Sequence, residues 1–599
     1  MKNTTNSWNL THLFKNDTDP KIEKLRKDVI KSSYNFINKW KKRNDYLTDP
    51  EVLKVALDEY NNWLTNFGLL RQESYYFDLK LSLDQNNPKI KARVNKAEET
   101  AKKIQNDIQF FELNIARIKP ALQKSFLNNT KLTKYNHFLK KLFELSSHLL
   151  SDPEEKILNL KSATSYDNWV KMTSGLLAKE QSRVMDEKGK STLKNFSEIY
   201  ALMNNQKKPV RDCAANSFNK ILTKNIDIAE NELNSVLQDK KTNDELRNYK
   251  KPDEARLLGD DIDEKVVRAL INSVTKNFDI SQRYYQLKAK LMGVKKLKYH
   301  ERNVEYGKIS KSYKFEEGVE IIEKVTQNLD SDFHKIFSGF LEMGLIDIYP
   351  KLGKVNGAFC TYGLITHPTY ILLNWNKNLN DVLTFAHELG HGINNELVKK
   401  EQNAVNFGSP VSTAEVASTF MEDFVLQKLL EKSDDELKLS IMMMKLNGDI
   451  SSIFRQIAFY NFELDLHQGF REKGYLSKDD IGILFQKHMV SYMGSYVEQS
   501  PGSQNWWVYV NHFRYYFYVY SYASGLIISK SLQNEVKKNP EFINIVKEFL
   551  STGLSDSPKN IFRKMGIDIT DEKFWNKGLA EVEILLKETE RLAIKLGKA

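Results

Sequence analysis

The sequence predicts a mainly α-helical protein with a small β-sheet just ahead of one unusual helix. Three observations carry this reading. Long stretches place apolar residues three and four apart between charged ones. A proline-led helix signal near residue 209 runs on to about Tyr249. The strand-like runs are few and short.

In chain order, segments 21–43, 51–70, 88–118 and 134–150 have the helical period. Arg183 to Lys194 reads as a hairpin, with Glu187-Lys-Gly-Lys as its turn. Pro209 suits the first turn of a long helix because its backbone angle is already helical. Strands are expected at Ala358–Tyr362 and Thr369–Trp375, where Tyr370, Ile371, Leu372 and Leu373 form a short apolar run after Pro368. An edge strand there can hold an extended peptide by main-chain hydrogen bonds, with Gly357 and Ala358 as the candidate backbone contacts. A helix capped by Asn380 or Asp381 follows, burying Val382, Leu383, Phe385, Ala386, Leu389 and Ile393. At this length several cores are expected, and a soft boundary near residue 205 separates an N-terminal helical region, 1–205, from 206–599.

The capped helix carries His387-Glu388-Leu389-Gly390-His391. Helical residues turn by about 100°, so His387 and His391 project side by side, at a separation suited to two ligands of one zinc ion. Glu388 then stands where a general base can take a proton from water. Two unrelated histidines on a surface helix would share this spacing, but the buried apolar side argues for the metal. Gly390 and Gly392 each cost up to about 1 kcal/mol relative to Ala within a helix. Bare backbone there serves either a functional site, where a substrate or another segment comes close, or tight helix packing.

A hydrolytic zinc site needs a third protein ligand and one open position. Thr413 to Glu422 reads as a second helix with Val416, Phe420 and Val425 inward, and two turns bring Glu415 and Glu422 back to nearly the same face. Glu415 is the candidate third ligand, and Glu422 the candidate partner that orients a ligand histidine from behind. Two solvated surface acids would give the same pattern.

Several longer motifs accompany these residues: Ser7-Trp-Asn-Leu-Thr-His-Leu-Phe14, His148-Leu-Leu-Ser-Asp-Pro-Glu-Glu-Lys-Ile157, Gly353-Lys-Val-Asn-Gly-Ala-Phe359, His367-Pro-Thr-Tyr-Ile-Leu-Leu-Asn-Trp375, and an aromatic stretch from His512 to Gly525. In this order and over nearly the whole chain they resemble oligoendopeptidase F, within the thimet-oligopeptidase-like zinc metallopeptidases. The resemblance implies two helical lobes around a deep substrate channel, residues 206–599 being the catalytic domain and 1–205 a wall of the channel. It implies one zinc ion per chain on His387, His391 and Glu415, and hydrolysis of short unfolded oligopeptides with Glu388 as the base. His512 and one or more of Tyr520, Tyr518 and Tyr522 match the segment that stabilises the transition state. In a strand all three tyrosines would lie on one side, whereas in a helix only Tyr518 and Tyr522 share a face; aromatic core packing is the plainer reading of each. Two departures stand out: Asn394 occupies a position where many relatives carry a further histidine, and the glycine-rich stretch that follows the matching histidine in thimet oligopeptidase is missing.

The formal net charge of +11 raises nucleic acid as a partner. Pairs such as Lys41-Lys42, Lys207-Lys208, Lys250-Lys251 and Lys399-Lys400 are instead scattered along helices that also carry acids, so they read as solvated faces and no nucleic-acid partner is expected. Cys213 and Cys360 are too few for a disulfide framework, which fits a reducing cytoplasm. No signal-like run opens the chain and no stretch is long and apolar enough for a membrane span. A non-catalytic helical zinc protein and a basic nucleic-acid scaffold are the competing readings; the first is disfavoured because a closed site usually takes four protein ligands.

Overall fold

The computed structural model describes residues 6–68, 71–307, 309 and 311–599, together with the backbone but not the side chain of Arg71. The opening residues 1–5 and the end of the segment expected to stay helical to residue 70 lie outside the described residues. The chain is mainly α-helical and forms two compact units. One gathers residues 1–146, 310–432 and 532–566; the other gathers 147–309, 433–531 and 567–599. Residue 205, the expected boundary, lies inside the second unit.

The first unit opens with helices α1 (Pro20–Trp40), α2 (Pro50–Asn66), α3 (Arg71–Leu83) and α4 (Pro88–Ile108). Three of them start alike. Asp19, Asp49 and Asn87 each accept an N–H of the first turn, at 2.9, 2.9 and 3.1 Å, and the proline that follows lacks an N–H the helix cannot use there. The periodicity did not reveal α3, because Tyr75, Tyr76 and Phe77 are consecutive and all buried, so they draw no stripe.

This unit holds a three-stranded sheet of β1 (Ile346–Asp347), β2 (Phe359–Thr361) and β3 (Tyr370–Leu372), in the order β1-β3-β2. Central β3 is parallel to β1 and antiparallel to β2, and its Tyr370, Ile371 and Leu372 are fully buried, hence the continuous apolar run. Strand β2 is an edge. Ile371 donates to Leu345 O (2.9 Å) and Leu373 to Asp347 O (2.8 Å), so Tyr370 and Leu372 turn their amide groups to β2, opposite Thr361 and Phe359. By alternation, Ala358 and Cys360 turn theirs to the open side.

Next comes α5 (Leu379–Glu401). Its cap is Asn378, earlier than the expected Asn380 or Asp381. Asp381 N–H donates to Asn378 Oδ1 (3.0 Å) while the Asp381 carboxylate accepts the Asn378 N–H (2.9 Å), a reciprocal pair that closes the first turn. Helix α6 (Val416–Glu431) lies against α5, and Glu415 is its N-cap residue, not part of a helix from Thr413. A Cβ on Gly390 would lie 2.4 Å from Ala417 O and 2.6 Å from Ser418 Cα; one on Gly392 would lie 2.7 Å from Phe340 Cζ. Both glycines therefore serve close packing within the protein.

The second unit contains the hairpin Gln181–Met185 with Ser191–Asn195, the long helix Lys208–Leu246 with Pro209 in its first turn, and the helix Arg455–Lys473. Among the described residues no helix is long and apolar enough to cross a membrane.

Candidate active site

Because α6 meets α5 at Gly390, the start of α6 is pressed against the histidine face of α5. Glu415 Oε2 lies 3.3 Å from His387 Nε2 and 3.6 Å from His391 Nε2. Bonds of about 2.0–2.1 Å in a tetrahedral arrangement place ligand atoms about 3.4 Å apart, so these three residues fit a zinc ion. Two turns further along α6, Glu422 Oε2 lies 3.2 Å from His387 Nδ1, on the far side of the ring. That contact fixes the ring's orientation and, in the neutral ring, leaves Nε2 as the nitrogen with a free lone pair.

Charge follows geometry. Burial pulls His387 down, but the carboxylates of Glu415 and Glu422 outweigh it and hold the imidazole at about 10. His391, whose burial is less compensated, is lowered to about 4. Burial pushes Glu415 up, yet the two imidazoles and Ser418 bring it to about 2. A metal binds a deprotonated carboxylate and a neutral imidazole, so Glu415 and His391 already have the ligand form, whereas His387 gives up a proton when a metal binds.

Glu388 is 8% exposed. Burial raises its carboxyl to about 7, with the charge of Glu415 adding to the rise and His387 and the Cys360 N–H opposing it. This hydrogen bond comes from an amide that the ladder turns to the open edge of β2, and it links the sheet to Glu388; the sequence offered no sign of it. The edge strand, α5 and Glu415 together enclose a cavity of about 380 Å³ that includes Ala358, Cys360, His387, Glu388, His391 and Glu415. Gly357, with φ of +81°, turns the chain into β2, and its carbonyl is taken by Asn374 Nδ2 at 2.7 Å. Asn394 is committed elsewhere: its Nδ2 donates to Leu550 O (2.5 Å) and its Oδ1 accepts from Ser409 Oγ (2.9 Å). It is a structural clamp rather than a further ligand.

In the second unit, residues 518–522 do not form a strand: a helix, Tyr520–Lys538, begins there. Tyr518 and Tyr522 accordingly lie together, with ring centroids 5.9 Å apart, and each faces His512, at 5.4 and 6.1 Å. Tyr518 Oη is hydrogen-bonded to His512 Nδ1. Burial, then Arg455, lowers His512 to about 4, so it is neutral at physiological pH. Tyr520, one of the three candidate tyrosines, points away. It is fully buried and donates to Asp260 Oδ2 at 2.8 Å, which leaves its hydroxyl no free hydrogen.

The model of peptidase family M3 matches residues 201–581, and that of oligopeptidase F matches residues 114–180. The chain is 26% identical to the plasmid oligoendopeptidase F of Lactococcus lactis subsp. cremoris, over 98% of this chain and 97% of that one. It is likewise 26% identical to the group B oligopeptidase PepB of Streptococcus agalactiae, with the same coverage. The oligoendopeptidase-F structure from Enterococcus faecium shares the fold, with a TM-score of 0.67 at 21% identity over 94% of this chain and 100% of that one. The family model spans well over half of the sequence, so this chain belongs to peptidase family M3.

Proposed function

We propose that this protein is a zinc-dependent endopeptidase that hydrolyses short, unfolded oligopeptides. The observation that carries the reading is the triangle of His387, His391 and Glu415 atoms spaced for one tetrahedral ion, with Glu388 beside it in an open cavity. One zinc ion on these residues would supply Lewis acidity and make water acidic enough to lose a proton near neutral pH. The protein groups do the rest. Glu388, poised near pH 7, accepts the proton of the attacking water and passes it to the leaving amine. Glu422 keeps His387 in its ligand orientation. His512 and Tyr518 form a neutral hydrogen-bonded pair with one hydrogen left over, so the pair offers one donor to the oxyanion, His512 Nε2 or Tyr518 Oη according to the tautomer, with Tyr522 beside them.

Substrate shape follows from the edge of β2. Ala358 and Cys360 offer main-chain groups there and Gly357 precedes them, so only a segment that can extend fits. Free thiols at Cys213 and Cys360 are consistent with a cytoplasmic setting. The deciding experiment is a mass-spectrometric digest of a random peptide library by wild type, by wild type with chelator, and by Glu388→Gln. The variant is expected to retain zinc and lose about 10²–10⁴ in kcat. Near wild-type cleavage by it would remove Glu388 as the base.

A further inference from the structure

Strand β2 borders two cavities. Ala358 and Cys360 line the metal cavity, Thr361 lines a second cavity of about 310 Å³ whose other wall is α3, and Phe359 borders both. Ser74, Asp78 and Ser82 stand at intervals of four on that helix, a polar stripe facing the strand. Hydrogen bonds brace the groove at both ends. Tyr75 Oη lies 2.8 Å from Thr361 O and 3.0 Å from Pro368 O at one end. At the other, Val355 N–H donates to Ser82 O (2.9 Å) and Gln85 N–H to Gly353 O (2.7 Å). The space is built in advance rather than left by loose packing.

At the centre of the stripe is a carboxylate that reaches solvent. Among the described residues no cation bonds to Asp78, and the lysine nearest in sequence, Lys80, is turned to Asp17 at 3.0 Å. Partial burial and then the charge of Glu98 raise Asp78 to about 6, which leaves it an anion at neutral pH. In a chain with net charge +11, an acid without a partner inside a braced groove invites a cation from outside.

A peptide laid along the open edge of β2 alternates its side chains between the two faces of the sheet. One set points toward α5 and the metal cavity, the other toward this groove. We propose that the groove is a substrate subsite selecting a cationic side chain, Lys or Arg, at one fixed distance from the cut bond; the proposal rests on the peptidase reading above. The Asp78 carboxylate takes the ammonium or guanidinium, Ser74 and Ser82 stand one turn to either side, and Phe359 borders the aliphatic stem.

The test is a digest of peptides that differ only at single positions, as Lys, Arg, Leu or Glu, by wild type, Asp78→Asn and Asp78→Lys. Wild type is expected to favour Lys and Arg over Glu about three- to tenfold at one position. Asp78→Asn should level this preference and Asp78→Lys invert it, each ratio being read against cleavage of the Leu peptides by the same variant. An unchanged Lys-to-Glu ratio in Asp78→Lys, or in Asp78→Asn should the first fold poorly, overturns the subsite and leaves the peptidase reading intact. Failure of wild type to cut any peptide overturns both.

Discussion

Replacing Gly390 by Ala is expected to weaken zinc binding without touching a ligand. The new Cβ would sit 2.4 Å from Ala417 O and 2.6 Å from Ser418 Cα, both backbone atoms, so no rotamer change relieves the clash. Ordinary contact begins at 3.4 Å, which requires α6 to retreat by about 1 Å. Overpacking of this kind costs about 1–3 kcal/mol, more than the ~1 kcal/mol gained by removing a helical glycine, so the clash wins. Glu415 and Glu422 ride on α6, and metal–ligand distances tolerate only about 0.2 Å. A tenfold or greater loss of zinc affinity is expected, with a lower unfolding midpoint. Gly175 is the control. It lies in the helix Asn168–Lys179 with nothing within 4 Å of an added Cβ, so Gly175→Ala should stabilise by about 0.4–1 kcal/mol and leave zinc binding alone. Competition titration against a chromophoric chelator and thermal unfolding read both effects. Should Gly390→Ala bind zinc like wild type and melt above it, as the control does, the helix contact does not set the metal site.

Three further outcomes are expected. Glu422→Gln removes the charge behind His387 and should lower zinc affinity about 10- to 100-fold while Glu415 remains in place; equal affinity by the same titration would separate Glu422 from the metal. Tyr518→Phe should lower kcat by about 10²–10³ with little change in KM, whereas Tyr520→Phe, which loses only its bond to Asp260, should lower stability and keep kcat; the reverse pattern would exchange their roles. Burial raises Glu463 to about 8 in the folded protein, so between about pH 4.5 and 8 the folded chain keeps a proton that the unfolded chain releases, and stability falls as pH rises through that window. Glu463→Gln, neutral and still able to accept the Phe517 N–H, should therefore stabilise more at pH 9 than at pH 5, and equal midpoint shifts at the two pH values would contradict this.

What the sequence by itself determined is what depends on a few neighbouring residues. The side-by-side placement of His387 and His391 with Glu388 between them follows from helical geometry alone, and strands β2 and β3, the hairpin and the long helix were legible because apolar spacing and turn residues are local signals. Helix α3 escaped because aromatic residues buried on every side leave no period to read. Contacts between distant segments were decided only by the tertiary structure. The reach of Glu415 and Glu422 to His387 depends on bare backbone at Gly390 letting α6 come close, and the sequence alone could not say whether those acids faced a metal or water. The tyrosines show the same division: alternation allowed a strand, but packing made a helix, leaving Tyr518 with His512 and committing Tyr520 to Asp260, a residue far away in the chain. Each unit joins three separated stretches, and the groove between Asp78 and Thr361 joins two of them, because burial of apolar surface brings segments together without regard to their distance along the chain.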